Sequence, residues 1–307
     1  VRVKAAIALI LATLMWAGNY VVGQIVVQTM DPISLTWFRW LLAAVPLLVL
    51  AQMIEKPDWR AVARAWPRLL LLSGLGVIGY TLLLYTALQY TSALSASLIN
   101  AANPAVMVLL AAVLVRERMG WRGIAGLLMG LVGVLVILTN GAIASVFSMR
   151  HNEGDLLMIG AIIVWSLYTI LGKSLTVPPI SATAAQAVIA AVLLAPVAVL
   201  TGASWPSEPS TVWALLFIAA FPSIGAYALW NGALKSIPPG HAGLYLNLIT
   251  VFTVIIAVTM GSQLTLPQIL GGLLVFGGVA LSALRARRAA TGGAGEGQAL
   301  EASSPTH

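Results

Sequence analysis

Five hydrophobic spans are followed by five more, and the second set repeats the order and spacing of the first. They are read at residues 5–27, 33–53, 67–89, 93–115, 121–140, 155–173, 181–201, 211–234, 240–261 and 266–284. A helix crosses the hydrocarbon layer in about 20 residues, so ten crossings leave too little of a 307-residue chain for a soluble domain. An odd number of crossings per set turns the second copy upside down relative to the first. The expected fold is an all-α polytopic membrane protein: ten transmembrane helices, as two inverted five-helix repeats around a central cavity. Residues 1–145 form the first repeat, 146–288 the second, and 289–307 a disordered C-terminal tail rich in Gly, Ala and Ser.

Residue identities support the repeat. WAGNYVVGQ (Trp16 to Gln24) corresponds to WSLYTILGK (Trp165 to Lys173) at an offset of 149. Pro32, Ser34 and Thr36 stand opposite Pro179, Ser181 and Thr183. From Ser73 to Leu98 an offset of 146 pairs Ile78, Gly79, Leu83, Ala87, Leu88, Ala96 and Leu98 with identical residues. In a chain this rich in Ala, Leu and Gly, the order of the spans weighs more than the identities themselves.

Sixty per cent of the residues are hydrophobic, 8% are charged, and mean hydropathy is +0.97, which no soluble core of this size needs. The net charge of +7 lies in short loops beside apolar ends rather than on one surface, which argues against nucleic acid. With a cytoplasmic N-terminus, fourteen basic residues fall on the inner side (Arg2, Lys4, Lys56, Arg60, Arg64, Arg68, Arg116, Arg118, Arg122, Lys173, Lys235, Arg285, Arg287 and Arg288) and Arg150 alone on the outer. The positive-inside rule then puts both termini in the cytoplasm. The first apolar run exceeds 20 residues and reads as a retained span rather than a signal peptide. The loop 56–67 reads as a short amphipathic helix at the inner interface. Without cysteine there is no disulfide or thiolate metal site.

Signatures of hydrolases, zinc proteases, nucleotide-binding loops and potassium filters are absent, so neither an enzyme nor a channel is expected, nor any cofactor. All nine acidic residues fall in loops, span ends or the tail. A pump exchanging protons for lipophilic cations holds a carboxylate at membrane depth, and that design is disfavoured.

Trp16, Asn19, Tyr20 and Gly23 share one face of span 1, and Trp165, Tyr168, Thr169 and Gly172 one face of span 6. Either these faces pack the bundle, or they meet across the pseudo-twofold axis and line a cavity whose rings attract an ammonium group. Span 8 carries Tyr227, Trp230, Asn231 and Leu234 at the same spacing, opposite Thr81, Leu84, Tyr85 and Leu88 of span 3. Tyr80 and Tyr245 join these cavity candidates. Asn100, Asn103, Asn231 and Asn247 each need a hydrogen-bond partner, in the protein or in a substrate. Pro104 is expected to kink span 4, and Gly23, Gly79, Gly172 and Gly225 are further hinge candidates. Arg39, about six residues inside span 2, either snorkels outward or faces the cavity and grips a carboxylate. His241 is the only histidine within a span, at its inner end.

MWAGNYVVGQ and the block RERMGWRGIAGLLMGLVGVLVI (Arg116 to Ile137) resemble the two recurrent motifs of the drug/metabolite transporter superfamily, in its ten-helix EamA branch. The later block QLTLPQILGGLLVFGGVAL keeps Gly271, Gly278 and Val279 but has Ser262-Gln263 where the first has Glu117, a departure in a loop. The aromatic inner faces and missing membrane carboxylate are most similar to the YddG-type amino-acid exporters of bacterial inner membranes. That resemblance implies a ten-helix basket with its cavity between spans 1, 3, 4, 6, 8 and 9, and with spans 5 and 10 outside. It further implies a monomeric exporter of amino acids, aromatic or otherwise hydrophobic, and of similar small metabolites, working by alternating access in the lipid bilayer. A multidrug or other metabolite transporter, and a membrane receptor or scaffold without transport, stay open as alternatives. With no carboxylate near the cavity, flux is expected to follow the substrate's own gradient.

Overall fold

The computed structural model describes residues 2–114, 121–142, 152–172, 175–234, 236, 243–278 and 281. The tail 289–307, the border between 145 and 146, His241 and the basic residues Arg116, Arg118, Arg150, Lys173, Lys235, Arg285, Arg287 and Arg288 lie outside the described residues. All regular structure among the described residues is helical. Six helical stretches are long and apolar enough to cross a bilayer: Val3–Val26, Pro32–Ile54, Trp66–Tyr90, Glu153–Gly172, Pro179–Leu200 and Pro209–Ala233. Three shorter apolar helices, Ile124–Ile137, Asn247–Thr259 and Leu266–Gly278, accompany them.

The chain opens with α1 (Arg2–Val26) and α2 (Pro32–Ile54). Asp31 starts α2 by accepting hydrogen bonds from the backbone N–H of Ile33 and Ser34, at 3.0 and 2.9 Å, and Pro32 takes the first helical position, where a missing N–H costs nothing. Between the second and third apolar stretches α3 (Trp59–Arg64) forms a short helix, with the Trp59 indole donating to Gln52 Oε1 at 2.9 Å.

The third apolar stretch comprises α4 (Trp66–Leu72), a π-helical segment (Ser73–Gly79) and α5 (Tyr80–Tyr90). Its counterpart in the second half comprises α11 (Pro209–Ile218), a π-helical segment (Ala219–Gly225) and α12 (Ala226–Leu234). The two π segments are separated by 146 residues at both ends, the offset that the sequence identities follow. Wider π turns leave carbonyls to be satisfied from outside the ladder. Val77 O accepts from the Trp40 indole at 3.0 Å and from the Thr81 hydroxyl. In the other segment Pro222 supplies no N–H, and the Ser223 hydroxyl donates instead to Ile218 O at 2.8 Å. Gly79 is required by the same geometry, since a Cβ there would stand 2.7 Å from the Gly74 carbonyl oxygen.

Span 4 is not a kinked helix, as Pro104 suggested, but two helices, α6 (Ala93–Asn100) and α7 (Asn103–Leu114), separated by a turn at Ala101 and Ala102. Pro104 therefore stands in the first turn of a new helix, where proline fits, and the break precedes it. The equivalent stretch of the second half changes at the corresponding place, from a 3-10 turn (Gly243–Leu246) to an α-helix that begins at Asn247.

Between these lie α8 (Trp121–Leu138), α9 (Glu153–Gly172) and α10 (Pro179–Leu200), and α13 (Asn247–Thr259) and α14 (Leu266–Gly278) complete the described chain. Helices α2 and α10 pack side by side and antiparallel. The Trp37 indole in the early part of α2 donates to Ala191 O at 3.0 Å, Glu55 beyond the end of α2 reaches the start of α10, and Asp31 faces Gly202 beyond its end. Pro178 and Pro179 leave α10 without a side-chain cap of its own. Glu55 supplies one from across the pair, accepting from Ile180 N at 3.0 Å, Ser181 N at 2.8 Å and Ser181 Oγ at 2.6 Å. A carboxylate at a helix N-terminus contributes about 1–2 kcal/mol. Glu55→Ala is therefore expected to lower the apparent melting temperature in detergent, with Glu55→Gln in between. Unchanged melting in the alanine variant would show that the cap contributes nothing.

Candidate functional site

One small cavity lies where the interrupted helices converge, lined from α1, α2, α5, α6, α7, α9, α12 and the start of α13. Its water-accessible volume of about 30 Å³ holds roughly two waters, so in the described conformation the space is too small for a metabolite. Nine of the fourteen residues singled out from the sequence line it: Trp16, Asn19 and Tyr20 from α1, Arg39 from α2, Tyr80, Asn100 and Asn103 from α5 to α7, and Trp165 and Tyr227. Leu246 and Ile249 complete the lining, and sequence reasoning missed both. An available signal was the 146-residue offset, which carries Asn100 onto Leu246 and Asn103 onto Ile249.

Aromatic rings form one side. Trp16 and Trp165, equivalent in the two halves, meet edge to face at 6.1 Å between centroids. Tyr227 stands 5.7 Å from Trp16 and 6.4 Å from Trp165, and Tyr80 lies 4.9 Å from Trp165. The Trp16 indole N–H donates to Pro222 O at 3.1 Å, which fixes the ring against the π segment. The hydroxyls of Tyr20 and Tyr80 lie 3.3 Å apart.

Arg39 faces the interior rather than snorkelling, and is 2% exposed. Its Nε donates to Ser223 Oγ at 2.6 Å, and Nη1 donates to the Tyr85 hydroxyl at 2.5 Å and to Asn19 Oδ1 at 3.5 Å. Tyr85 in turn donates to Asn19 Oδ1 at 2.8 Å. The guanidinium also lies over the rings of Trp40 at 4.9 Å and Tyr85 at 5.7 Å. Every one of these partners is neutral, and Nη2 takes part in none of these bonds. A buried cation without a counter-charge is costly at membrane depth, and the donors left over suit the two oxygens of a carboxylate.

The remaining candidates stand behind the lining. Tyr85 is fully buried and holds Arg39 and Asn19. Tyr168 packs on Trp165 with the rings tilted and 5.3 Å between centroids, and lies so close over Gly76 that a Cβ there would collide with its ring. Trp230 packs on Trp16 at 5.2 Å, and Tyr245 packs with Ala5, Leu9 and Ala233. The Asn231 amide donates to Thr183 Oγ1 at 3.0 Å. Asn103 accepts from the Ser166 hydroxyl at 3.0 Å, whereas the buried Asn100 side chain bonds to no group among the described residues. Asn247 Oδ1 has no partner among them either. Of the hinge candidates, Gly79 and Gly225 fall in the π segments and Pro104 opens α7. Gly23 gives room to the Tyr85 ring, and Gly172, at the end of α9, has open space around it. Asp155 is a buried carboxylate, but it lies in the first turn of α9, where Thr91 Oγ1 donates to it at 2.6 Å, and it does not line the cavity.

The EamA-like transporter family matches this chain twice, over residues 3–139 and 152–284. The chain belongs to that family. It is a membrane transporter and not an enzyme. It is 32% identical over 253 residues to the "Uncharacterized transporter YyaM" of Bacillus subtilis (strain 168), covering 80% of this chain and 82% of that one. An "Uncharacterized transporter" of Archaeoglobus fulgidus is 32% identical over 288 residues, 91% of this chain and 97% of the relative. The "Uncharacterized inner membrane transporter YhbE" of Escherichia coli (strain K12) is 27% identical over 56% of each chain. A solved crystal structure shares the fold, with a TM-score of 0.69 at 23% identity, over 94% of this chain and 99% of that one.

Proposed function

We propose that this transporter exports small zwitterionic metabolites, amino acids in particular, across a bacterial inner membrane by alternating access between two inverted five-helix halves, and acts as a monomer. The observation that carries the substrate class is Arg39, a buried guanidinium bonded only to neutral groups among the described residues and set beside a group of aromatic rings. A substrate carboxylate supplies the missing counter-charge, and its ammonium group finds the faces of Trp16, Trp165 and Tyr227. A cationic drug would meet Arg39 as a like charge, so the multidrug reading is less well supported. The doubled family match, the two π segments 146 residues apart and the antiparallel pairing of α2 with α10 support the inverted halves. The fourteen-to-one distribution of basic residues supports cytoplasmic termini.

Because the cavity is too small for a metabolite, transport requires the halves to part on one side and then on the other. The helix interruptions beside the cavity are natural places for such bending, since their backbone bonds are already partly replaced by side chains. The test is counterflow in proteoliposomes with labelled amino acids, sugars and organic cations. Amino acids should exchange; if they fail while another class exchanges, the substrate class is wrong, and if nothing moves, a receptor or scaffold role gains ground.

Energy coupling can be read in the same vesicles. No carboxylate among the described residues lines the cavity, so exchange should persist without an imposed pH difference. His241→Ala should retain most of it. Accumulation driven by an inward proton gradient, abolished by that substitution, would make His241 the proton carrier and overturn facilitated diffusion.

A further inference from the structure

The two halves place three equivalent pairs on the cavity: Trp16 and Trp165 match, whereas the other two pairs set an amide against an aliphatic side chain. Every amide and every charge in the described lining comes from the first half: Asn19, Arg39, Asn100 and Asn103. The second half contributes Trp165, Tyr227, Leu246 and Ile249. The contrast is sharpest where α6 packs against α13, joined by a hydrogen bond from Thr250 Oγ1 to Ser97 O at 2.6 Å. On that wall Asn100 and Leu246 are one equivalent pair, Asn103 and Ile249 another, each separated by 146 residues. Arg39 has its equivalent in Gln186, at an offset of 147, and only Arg39 lines the cavity.

We infer that this polarity orients the substrate and selects its side chain: the first half holds the polar end, and Leu246 and Ile249 form the surface against which an apolar side chain docks. The inference rests on the carboxylate reading of Arg39. Asn100 has unused hydrogen-bonding groups, and Asn103 keeps its amide donors after accepting from Ser166. Both suit the carboxylate or ammonium end. Leu246 and Ile249 offer no side-chain donor or acceptor, so a carboxamide or hydroxyl pressed against them loses its water and gains no partner. An aliphatic or aromatic side chain there loses nothing and fills the space. The substrates singled out are therefore α-amino acids with apolar side chains, bound in one orientation.

The test compares counterflow of labelled leucine and phenylalanine with that of glutamine and asparagine in proteoliposomes of the full chain. Wild-type protein should favour leucine over glutamine by about tenfold or more. The double variant Leu246→Asn/Ile249→Asn installs the first half's residues at the equivalent places, and its leucine-to-glutamine ratio should fall to about one. A second variant, Leu246→Ala/Ile249→Val, enlarges the space while keeping it apolar, and should raise phenylalanine relative to leucine about threefold or more. If folded variants exchange amino acids with wild-type ratios, or if wild-type protein does not distinguish leucine from glutamine, the docking surface is elsewhere and the inference falls, while the carboxylate reading stands. If Arg39→Gln leaves wild-type exchange intact, the carboxylate reading itself fails and takes the inference with it.

Discussion

Arg39→Gln is expected to lower transport by roughly a hundredfold or more, while the melting temperature stays the same or rises. Hydrogen bonds to a charged group contribute about 1.5–3 kcal/mol each, and a guanidinium offers two to one carboxylate. Losing both removes at least roughly 3 kcal/mol from the bound state, and each 1.4 kcal/mol is about tenfold. The stability forecast has the opposite sign. In the empty protein Arg39 is held by Ser223, Tyr85 and Asn19, all neutral, and a buried charge without a counter-charge works against folding. Glutamine removes that cost and keeps a hydrogen-bonding group. Arg39→Lys should not restore transport, because an ammonium group lacks the planar fork. The measurements are counterflow in proteoliposomes and thermal unfolding in detergent. Full activity in Arg39→Gln would show that the carboxylate binds elsewhere, and a large fall in melting temperature would show a structural role instead.

Gly133→Val is expected to damage folding far more than Glu55→Ala or Arg39→Gln. Helices α8 and α14 touch backbone to backbone. A Cβ on Gly133 would stand 2.6 Å from Gly271 O and 2.9 Å from Val275 N, and a Cβ on Gly271 would stand 2.6 Å from Gly133 O. Further along, a Cβ on Gly278 would collide with Gly126 O. No side chain can rotate away from a carbonyl fixed in a helix, so the two helices would have to part along their length. Lipid gives no hydrophobic drive to hold them together, and close packing is what does so. Overpacking typically costs about 1–3 kcal/mol, and the valine should reach or exceed the upper figure, with alanine nearer the lower. Fluorescence-detected gel filtration should show loss of the monodisperse peak for Gly133→Val and a lowered melting temperature for Gly133→Ala. A valine variant that elutes and melts like the wild type would mean that α8 and α14 do not meet in this way.

The aromatic part of the site was legible because helical periodicity and an internal repeat point the same way. Trp16 and Trp165 share a position in two copies of one pattern, and the structure brings their rings together. Asn100 and Asn103 were legible for another reason: an amide in an apolar span must find a partner, and Asn100 finds none among the described residues. Leu246 and Ile249 were not legible one by one, because leucine and isoleucine are what every lipid-facing or core-facing position of such a chain contains. Periodicity also could not separate Tyr80, which lines the cavity, from Tyr245, which packs with Ala5 and Leu9.

The direction of Arg39 was undecidable in the sequence. Depth along α2 allows the side chain to reach either the outer surface or the interior. The choice rests on Asn19, Tyr85 and Ser223, which come from three other stretches of the chain. Ser223 is in place only because a π segment runs through Pro222, where its hydroxyl replaces the missing donor toward Ile218 O and leaves lone pairs for Arg39. Span 4 tells the same story. Pro104 announced an interruption, but a proline inside a helix and a proline at the start of one look alike in sequence, and the turn at Ala101 and Ala102 is what distinguishes them.

The sequence by itself determined that this chain lives in a bilayer, that its second half repeats its first, and which amides and rings would be out of place in lipid. Those properties follow from composition, periodicity and the cost of unpaired polar groups, all of which are local. Only the tertiary structure decided which of those groups share one cavity, that Arg39 stands there among neutral partners, and that the amides and the charge of the described lining come from one half. These depend on contacts between residues far apart in the chain, which no local pattern of the sequence encodes.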